Sequence, residues 1–561
     1  MFGRYKGFVL VLCSGIILFC SAAFVDSYFE LSRNLDIFSS LFRQVNTVYV
    51  DSLDSGKLMQ KGIDAMLGSL DPYTTFIPES KADDYRFMTT GLYGGIGATI
   101  RAKGDYICVN EPYEGFPAQK NDLRAGDLIL ELDGKSMKGK KTDEISHLLK
   151  GKPGTEVKIT IQRAGEKKPL VKTLTREEIK VKSVPYAGIL KENIGYIRLT
   201  GFTEGAGNAV KEALKTLKQQ HELAGVILDL RGNPGGLLNE AVNVSNVFVP
   251  KGLEIVSTRG KIKEWSKSYK AINDAEDEKI PLVVLVNSGS ASASEIVSGS
   301  LQDLDRGVIL GQRTFGKGLV QSTRPLSYNT QVKITTAKYY IPSGRCIQAL
   351  DYSHRNADGS VGKVPDSLMT AFRTQGGRKV FDGGGILPDL SVEARRYSGI
   401  TTSLLNENLI FDYATTYQVD HPVIAPPIAF RVNAAEFGDF QKFISSREYK
   451  YTTASEKELE NVKKSAVEEK YFDKIKPEIE ALQKRIAANK KEDVTENKDE
   501  IIRKLSEEIA SRYYFQVGRI EASLQSDPEI EKATEILKAP EWYRSILDGT
   551  YKPADEAKSN K

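Results

Sequence analysis

The chain has 561 residues, enough for three or four domains, and its 40% hydrophobic and 27% charged content is typical of a folded protein. Its 78 basic and 74 acidic residues leave a net charge of +4, too small to steer it toward nucleic acid, which we exclude as a partner. The absence of HExxH argues against a zinc peptidase, and we expect neither a metal nor a cofactor.

The N-terminus, residues 1–25, has the pattern of a signal peptide or a single membrane anchor. Arg4 and Lys6 precede an uncharged, mostly apolar run that ends at Val25. Small residues at 21–23 would permit cleavage. We therefore expect an exported protein of the periplasm or cell envelope, with membrane contact through this segment if it is not removed.

Two domains are predicted to follow. Residues 26–90 form a helical domain, because Leu31, Ile37 and further apolar residues recur at helical spacing until prolines break the pattern. Residues 91–180 form a small β-rich module, in which alternating strands such as DLILELDG are separated by glycine turns. Its one predicted helix covers KKTDEISHLLKGKPG, with Thr142 as the N-cap.

Residues 181–400 are predicted to form an α/β core. Apolar runs typical of buried strands, NIGYIRLTGF, AGVILDLRG, LVVLVN and GVILGQ, alternate with helical stretches such as AGNAVKEALKTLKQQ. A polar insertion lies at about 350–380. Residues 401–561 are charge-dense and helical, which favours solvated amphipathic helices, with an interaction arm as the alternative.

The stretch at 311–320, GQRTFGKGLV, begins like a phosphate-binding loop. However, Gly318 stands where such a loop has Ser or Thr, and the residues after it predict strands where a phosphate loop needs a helix. A lysine between glycines can instead be a general base. Its amine must then be neutral, and burial can lower a lysine pKa from about 10.4 to about 7–8.

A partner for this lysine lies upstream, in PLVVLVNSGSASASEIVSGS. A buried strand leads there into a serine-rich helix start, where free backbone N–H groups can bind an oxyanion. Ser290 could be a simple N-cap, but capping explains one serine and not three. A second loop, VILDLRGNPGGLL, presents glycines whose N–H groups can approach a substrate, although a tight turn is equally compatible. No histidine lies in these loops, so serine with lysine is the better pairing.

Four motifs in order, SASASEIVSGSLQD, RTFGKGLVQS, YYIPSGRCIQ and GGGILPD, resemble the carboxy-terminal processing (tail-specific) protease family. The module at 91–180 resembles a PDZ domain. The resemblance implies an α/β multi-domain fold, with a crotonase/ClpP-like protease core, a PDZ domain, and helical N- and C-terminal regions. It also implies a serine endopeptidase with a Ser/Lys dyad that forms an acyl-enzyme.

Residue by residue, the resemblance implies Ser292 as the nucleophile and Lys317, 25 positions later (317 − 292 = 25), as the base. Gln321 would orient the lysine amine. The oxyanion donors would be backbone N–H groups of Ala293 and of one residue of the pair Gly235 and Gly236. In the PDZ domain, a substrate carboxylate would bind backbone N–H groups at Tyr93, Gly94, Gly95, Ile96 and Gly97.

The expected partners are polypeptides with free apolar C-termini. The sequence leaves open a lipoprotein adaptor, a homo-oligomer, and whether the PDZ domain inhibits or activates cleavage. The alternative function is a non-catalytic PDZ scaffold of the envelope. The intact set of Ser292, Lys317 and Gln321 argues against that alternative.

Overall fold

A computed structural model describes residues 28–356, 359–447, 449, 451–490 and 492–551. The predicted signal or anchor segment, 1–25, lies outside these residues. Among the residues described, no helix combines the length and apolar character that crossing a membrane requires. The residues described form two compact units, of which the smaller comprises 28–76 together with Thr323–Ser327 and Gln331–Ile334.

The N-terminal region is helical, as predicted, over 28–48 and Ser55–Gly68. Asp54 caps the second helix, because its carboxylate accepts the Lys57 N–H at 3.0 Å. A short strand, Thr75–Ile77, then precedes helix Ala82–Thr90 of the larger unit.

The β-rich module contains an antiparallel sheet and a separate strand pair, Leu92–Gly95 with Glu177–Lys180. Its predicted helix spans Thr142–Leu149, so Thr142 is the first helical residue and not the N-cap, and residues 150–154, which were expected to continue it, are not helical. Buried aliphatic residues such as Ile145 and Ile159 form its own core. The main sheet and the second short helix comprise Ala98–Lys103, Tyr106–Pro112, Leu128–Leu132, Lys135–Ser136, Glu156–Gln162, Leu170–Thr175 and helix Pro117–Lys120.

The α/β core is built on a six-stranded sheet, and the predicted buried strands are confirmed. The first two strands are antiparallel, and each later neighbour is parallel. In sheet order the strands are Tyr186–Leu190, Ile194–Arg198, Gly225–Asp229, Leu282–Val286, Val308–Gly311 and Leu390–Ser391.

Both faces of this sheet are buried. Along strand Leu282–Val286, alternate residues point to opposite faces, and all five are 0% exposed. Leu282, Val284 and Val286 pack with one helical layer, and Val283 and Leu285 pack with another. The first layer consists of helices Ala206–Gln220, Leu238–Asn246 and Ala293–Asp303, and the second of Pro528–Lys538 and Pro540–Leu547.

A second sheet and two hairpins complete the core. In this sheet, strand Gln331–Tyr340 pairs with Glu254–Gly260, which also pairs with Lys267–Lys270; strand Leu319–Pro325 belongs to the same sheet. The polar insertion folds as the hairpins Leu350–Arg355 with Val361–Lys363, and Ala371–Arg373 with Lys379–Phe381. Short 3₁₀ turns occur at Glu79–Lys81, Lys191–Asn193, Lys263–Trp265, Asp366–Leu368 and Leu524–Ser526.

The C-terminal region is helical, as predicted, but it is not mainly a set of solvated helices. Leu404, Phe440 and Leu505 are fully buried in a hydrophobic cluster of its own, and the last two helices cover the core sheet. Its helices are Gly399–Asn406, Leu409–Asp420, Ala434–Ser445, Ala454–Glu468, Phe472–Asn489, Asp493–Glu496 and Lys498–Ser523, followed by the two that cover the sheet.

We expect Ile536→Ala to lower the free energy of unfolding by about 2–5 kcal/mol, because the side chain is 0% exposed between helix Pro528–Lys538 and the sheet. Its neighbour Glu535→Ala is the control and should change stability by less than about 1 kcal/mol, since it removes only a surface ion pair with Lys532. Chemical denaturation measures both. Equal stability of the two variants would contradict the packing role of this helix.

Candidate active site

The candidate site lies at one edge of the core sheet. Strands Gly225–Asp229, Leu282–Val286 and Val308–Gly311 are consecutive parallel neighbours, so their carboxyl ends lie at the same edge. The glycine loop follows the first of these strands, the serine-rich turn the second, and the lysine loop the third. This topology brings together three motifs that are far apart in the sequence.

The structure distinguishes among the three serines. Ser290 and Ser294 are 0% exposed, and their hydroxyls donate to the carbonyls of Leu230 (2.8 Å) and Asn233 (2.9 Å). Ser292 between them is half-buried. The outer two serines therefore anchor the turn to the neighbouring strand end and loop, and Ser292 is the partly exposed serine between them.

Ser292 adopts an unusual backbone conformation. Its φ of 54° and ψ of −111° lie in a region that costs a non-glycine residue about 1–3 kcal/mol. Helix Ala293–Asp303 begins directly after it, so the residue at the N-cap position is Ser292 and not Ser290. In α/β-hydrolases, the serine nucleophile also lies on a strained turn between a strand and a helix.

A buried carboxylate connects this turn with the lysine loop. Glu295 is 0% exposed, and its Oε2 accepts the backbone N–H groups of Ser292 (2.8 Å) and Lys317 (2.9 Å). Its Oε1 accepts the Gly316 N–H (2.7 Å) and the Thr314 hydroxyl (2.5 Å). Burial raises the pKa of Glu295, and these hydrogen bonds oppose the shift.

The glycine before Lys317 is required by packing. Gly316 has φ +88°, and a Cβ there would lie 2.3 Å from the Cβ of Ala349. Lys317 itself is half-buried. The chain continues as strand Leu319–Pro325, which confirms the predicted strand and leaves no helix N-terminus to receive a phosphate.

The glycine loop lies directly against the serine turn. A Cβ at Gly235 would lie 2.9 Å from both the Ala293 nitrogen and the Ser292 Cβ, so only glycine fits. The Gly235 N–H donates to Asn233 Oδ1 at 2.9 Å. Within the described ranges, the N–H groups of Gly236 and Ala293 have no acceptor in the protein.

The sequence predictions did not include two residues of this site, Asn233 and Glu295. Asn233 is 0% exposed and joins the two loops, because its carbonyl accepts the Ala291 N–H at 3.0 Å. Its only sequence signal is its place in a turn. Glu295 follows Ser292 by three positions, the S-x-x-E spacing of a capping box, which would have identified it.

The third residue of the predicted catalytic set, Gln321, lies in strand Leu319–Pro325. Its amide nitrogen donates to Thr335 Oγ1 at 3.2 Å. Its orientation of the Lys317 amine stays a prediction. Among the residues described, no three His, Cys, Asp or Glu side chains form a group that could hold a metal ion.

The β-rich module has a groove of about 280 Å³ between strand Ala98–Lys103 and helix Thr142–Leu149. Of the five residues predicted to bind a carboxylate, Tyr93 and Ile96 line this groove. Gly94 and Gly95 pair with strand Glu177–Lys180. Gly97 has φ +73° in the turn after them. Further lining residues include Ala98, Ile100, Tyr113, Ser146, Leu149 and Lys150.

Comparison with known proteins identifies the three main parts of the chain. Residues 193–353 match peptidase family S41, residues 94–173 match the PDZ domain, and residues 400–537 match the C-terminal helical domain of probable PDZ-proteases. The chain is 42% identical to a carboxy-terminal-processing protease of Bartonella bacilliformis over 329 residues, which cover 58% of this chain and 74% of that protein.

A second relative is a probable CtpA-like serine protease of Staphylococcus aureus, 38% identical over 318 residues, 56% of this chain and 62% of that protein. The solved photosystem II D1 C-terminal processing protease is 29% identical, with a TM-score of 0.33, covering 64% of this chain and 92% of that one. The chain therefore belongs to the carboxy-terminal processing proteases of peptidase family S41, and the resemblance seen in its motifs is confirmed.

We expect Glu295→Gln to reduce peptidase kcat/KM at least tenfold. The amide has one acceptor oxygen and an NH₂ group, so it cannot accept from all four donors, and each orphaned buried donor costs about 1–3 kcal/mol. Steady-state kinetics with a fluorogenic peptide measures the effect.

The matched control is Glu240→Gln, another buried carboxylate of the same helical layer, which accepts the Gly207 N–H at 2.8 Å. This variant should lose stability but keep kcat/KM within about threefold. Full activity of Glu295→Gln would show that the carboxylate does not organise the site.

Proposed function

We propose that the protein is a serine endopeptidase of the cell envelope that cleaves polypeptides near their C-termini through a dyad of Ser292 and Lys317. The observation that carries the proposal is the Glu295 carboxylate, which binds the backbone N–H groups of both residues. A single buried group thus fixes the nucleophile turn and the base loop against each other. The family relationship supports the peptidase activity itself.

The proposed reaction has two stages. The neutral Lys317 amine takes the proton of the Ser292 hydroxyl, and the serine oxygen attacks the carbonyl carbon of the scissile peptide bond. When the C–N bond breaks, the lysine ammonium returns the proton to the leaving amine. The lysine then takes a proton from water, and the water oxygen attacks the carbonyl carbon of the acyl-enzyme. The ester bond between that carbon and the Ser292 oxygen breaks, the lysine ammonium returns its proton to the serine oxygen, and the second product leaves with a free carboxylate. Gln321 would hold the amine in position from the adjoining strand.

The oxyanion of each tetrahedral intermediate would bind two backbone N–H groups. Ala293 supplies one, because it is the first residue of the helix and its N–H needs no helical partner. Gly236 is the better second donor, since the Gly235 N–H already binds Asn233. Gly235 would instead provide the space that lets the loop approach the serine turn. Such donors are often the largest electrostatic contribution to acyl transfer.

We also propose that the PDZ groove captures substrate C-termini. The apolar side chains of Ile96, Ile100 and Leu149 suit an apolar terminal residue, and a peptide can add as a strand beside Ala98–Lys103. The proposed substrates are polypeptides with free apolar C-termini. A lipoprotein adaptor that delivers them, or self-association of the protein, would be compatible with this proposal.

We also propose that the protein is located in the cell envelope, with membrane contact through residues 1–25 if they are retained.

We expect Ser292→Ala and Lys317→Ala each to abolish turnover without unfolding the protein. Lys215→Ala, an exposed lysine on helix Ala206–Gln220, should retain wild-type rates. Cleavage of a fluorogenic peptide and the thermal midpoint are measured for all three. If Lys317→Ala keeps more than about a tenth of the wild-type rate, it has lost less than about 1.4 kcal/mol of transition-state stabilisation. That result would refute the assignment of Lys317 as the base. Saturable binding without cleavage by the wild type would favour the scaffold alternative.

Charge added to the groove should weaken substrate capture. Ser146→Glu places a carboxylate in the groove, where it repels a substrate carboxylate, and we expect KM for a free-acid peptide to rise at least fivefold. His147→Glu is the control, because His147 follows Ser146 in the helix but is exposed and does not line the groove. A C-terminally amidated peptide should respond little to either change. Equal KM values for both variants on the free acid would contradict groove recognition.

A further inference from the structure

Tyr339 lies on strand Gln331–Tyr340 of the second sheet, next to the backbone of Ser292 and Lys317. It is 1% exposed, and its ring packs in the main hydrophobic core near helix Ala293–Asp303. Its backbone N–H donates to the carbonyl of Gly318 at 3.0 Å. The main chain of Tyr339 is therefore already fixed to the loop that carries Lys317.

The phenol oxygen reaches the backbone of both dyad residues. It donates to the carbonyl of Lys317 at 2.5 Å and lies 3.2 Å from the carbonyl of Ser292. A phenol has one hydrogen, so the two carbonyls share it. The Ser292 carbonyl also accepts the N–H groups of Glu295 and Ile296, which begin the helix.

We infer that Tyr339 is a positioning residue for the dyad, whose hydroxyl sets the separation of the base loop from the nucleophile turn. This inference rests on the proposed Ser/Lys function. A ring alone would fill the core equally well, so the hydroxyl is not explained by packing. The hydroxyl lies between the carbonyls of Ser292 and Lys317, where it can hold the serine turn and the lysine loop together.

The hydroxyl acts on the sides of the two segments that Glu295 does not reach. Glu295 accepts the N–H groups of Ser292 and Lys317, and Tyr339 binds their carbonyls. The Ser292 carbonyl shares a rigid peptide plane with the Ala293 N–H. Holding that carbonyl therefore also fixes the direction of the proposed oxyanion donor.

The Lys317 peptide plane is held from both sides in the same way. Its carbonyl accepts from Tyr339, and the Gly318 N–H in the same plane donates to Gln348 Oε1 at 2.7 Å. Without the phenol, one of these two restraints is lost. The loop can then rotate, and the amine moves away from the serine and closer to solvent.

The test is Tyr339→Phe in the full-length chain, which removes one oxygen atom and keeps the ring. We expect kcat to fall about 10- to 100-fold with KM changed less than threefold. The acidic limb of the kcat/KM profile should shift to higher pH by at least half a unit, because a more solvated amine is protonated more readily. A fluorophosphonate that labels the active-site serine should react more slowly by a similar factor.

The matched control is Tyr340→Phe, the same deletion on the next residue of the strand, whose ring stacks on Arg259 at 4.3 Å. It should leave kcat and the pH profile unchanged. An unchanged kcat in Tyr339→Phe overturns the inference. A lower thermal midpoint with an unshifted acidic limb also overturns it, since that result indicates a structural role only. If wild-type protein cleaves nothing and its serine is not labelled, the proposed function itself has failed.

Discussion

The candidate site depends on a carboxylate that is completely enclosed by protein. An isolated charge in such surroundings is strongly disfavoured, so Glu295 is tolerable only while its donors stay in place. Those donors come from the serine turn and from the loop at Thr314 to Lys317. Displacing either segment would leave buried polar groups without hydrogen-bond partners, which costs free energy. The folded state therefore fixes the position of the serine turn relative to the lysine loop.

The sheet makes this arrangement reachable. Parallel strands align their carboxyl ends, so three loops separated by many residues meet at one edge. Parallel sheets also need cover on both faces, and here one layer comes from the last two helices, Pro528–Lys538 and Pro540–Leu547. The C-terminal region is therefore part of the peptidase core as well as a helical domain in its own right.

The groups that would do the chemistry are few, and the groups that hold them are more numerous. Ser290, Ser294 and Asn233 use their polar atoms to fix the backbone of the serine turn and glycine loop. Glu295 and Tyr339 then bind opposite sides of the serine turn and the lysine loop. These hydrogen bonds hold the turn in which Ser292 keeps its strained backbone conformation.

The sequence by itself determined four strands of the core sheet and two of the helices between them, because runs of buried apolar residues and turn glycines are local signals. It also determined the family, through motifs in register, and with them Ser292 and Lys317 as candidates. Tertiary structure decided which serines are structural, which glycine keeps a free N–H, and that charged C-terminal helices cover the sheet. It also revealed Tyr339, whose partners lie 22 and 47 residues away. Burial and hydrogen-bond pairing are set by such long-range packing, which no local pattern of residues encodes.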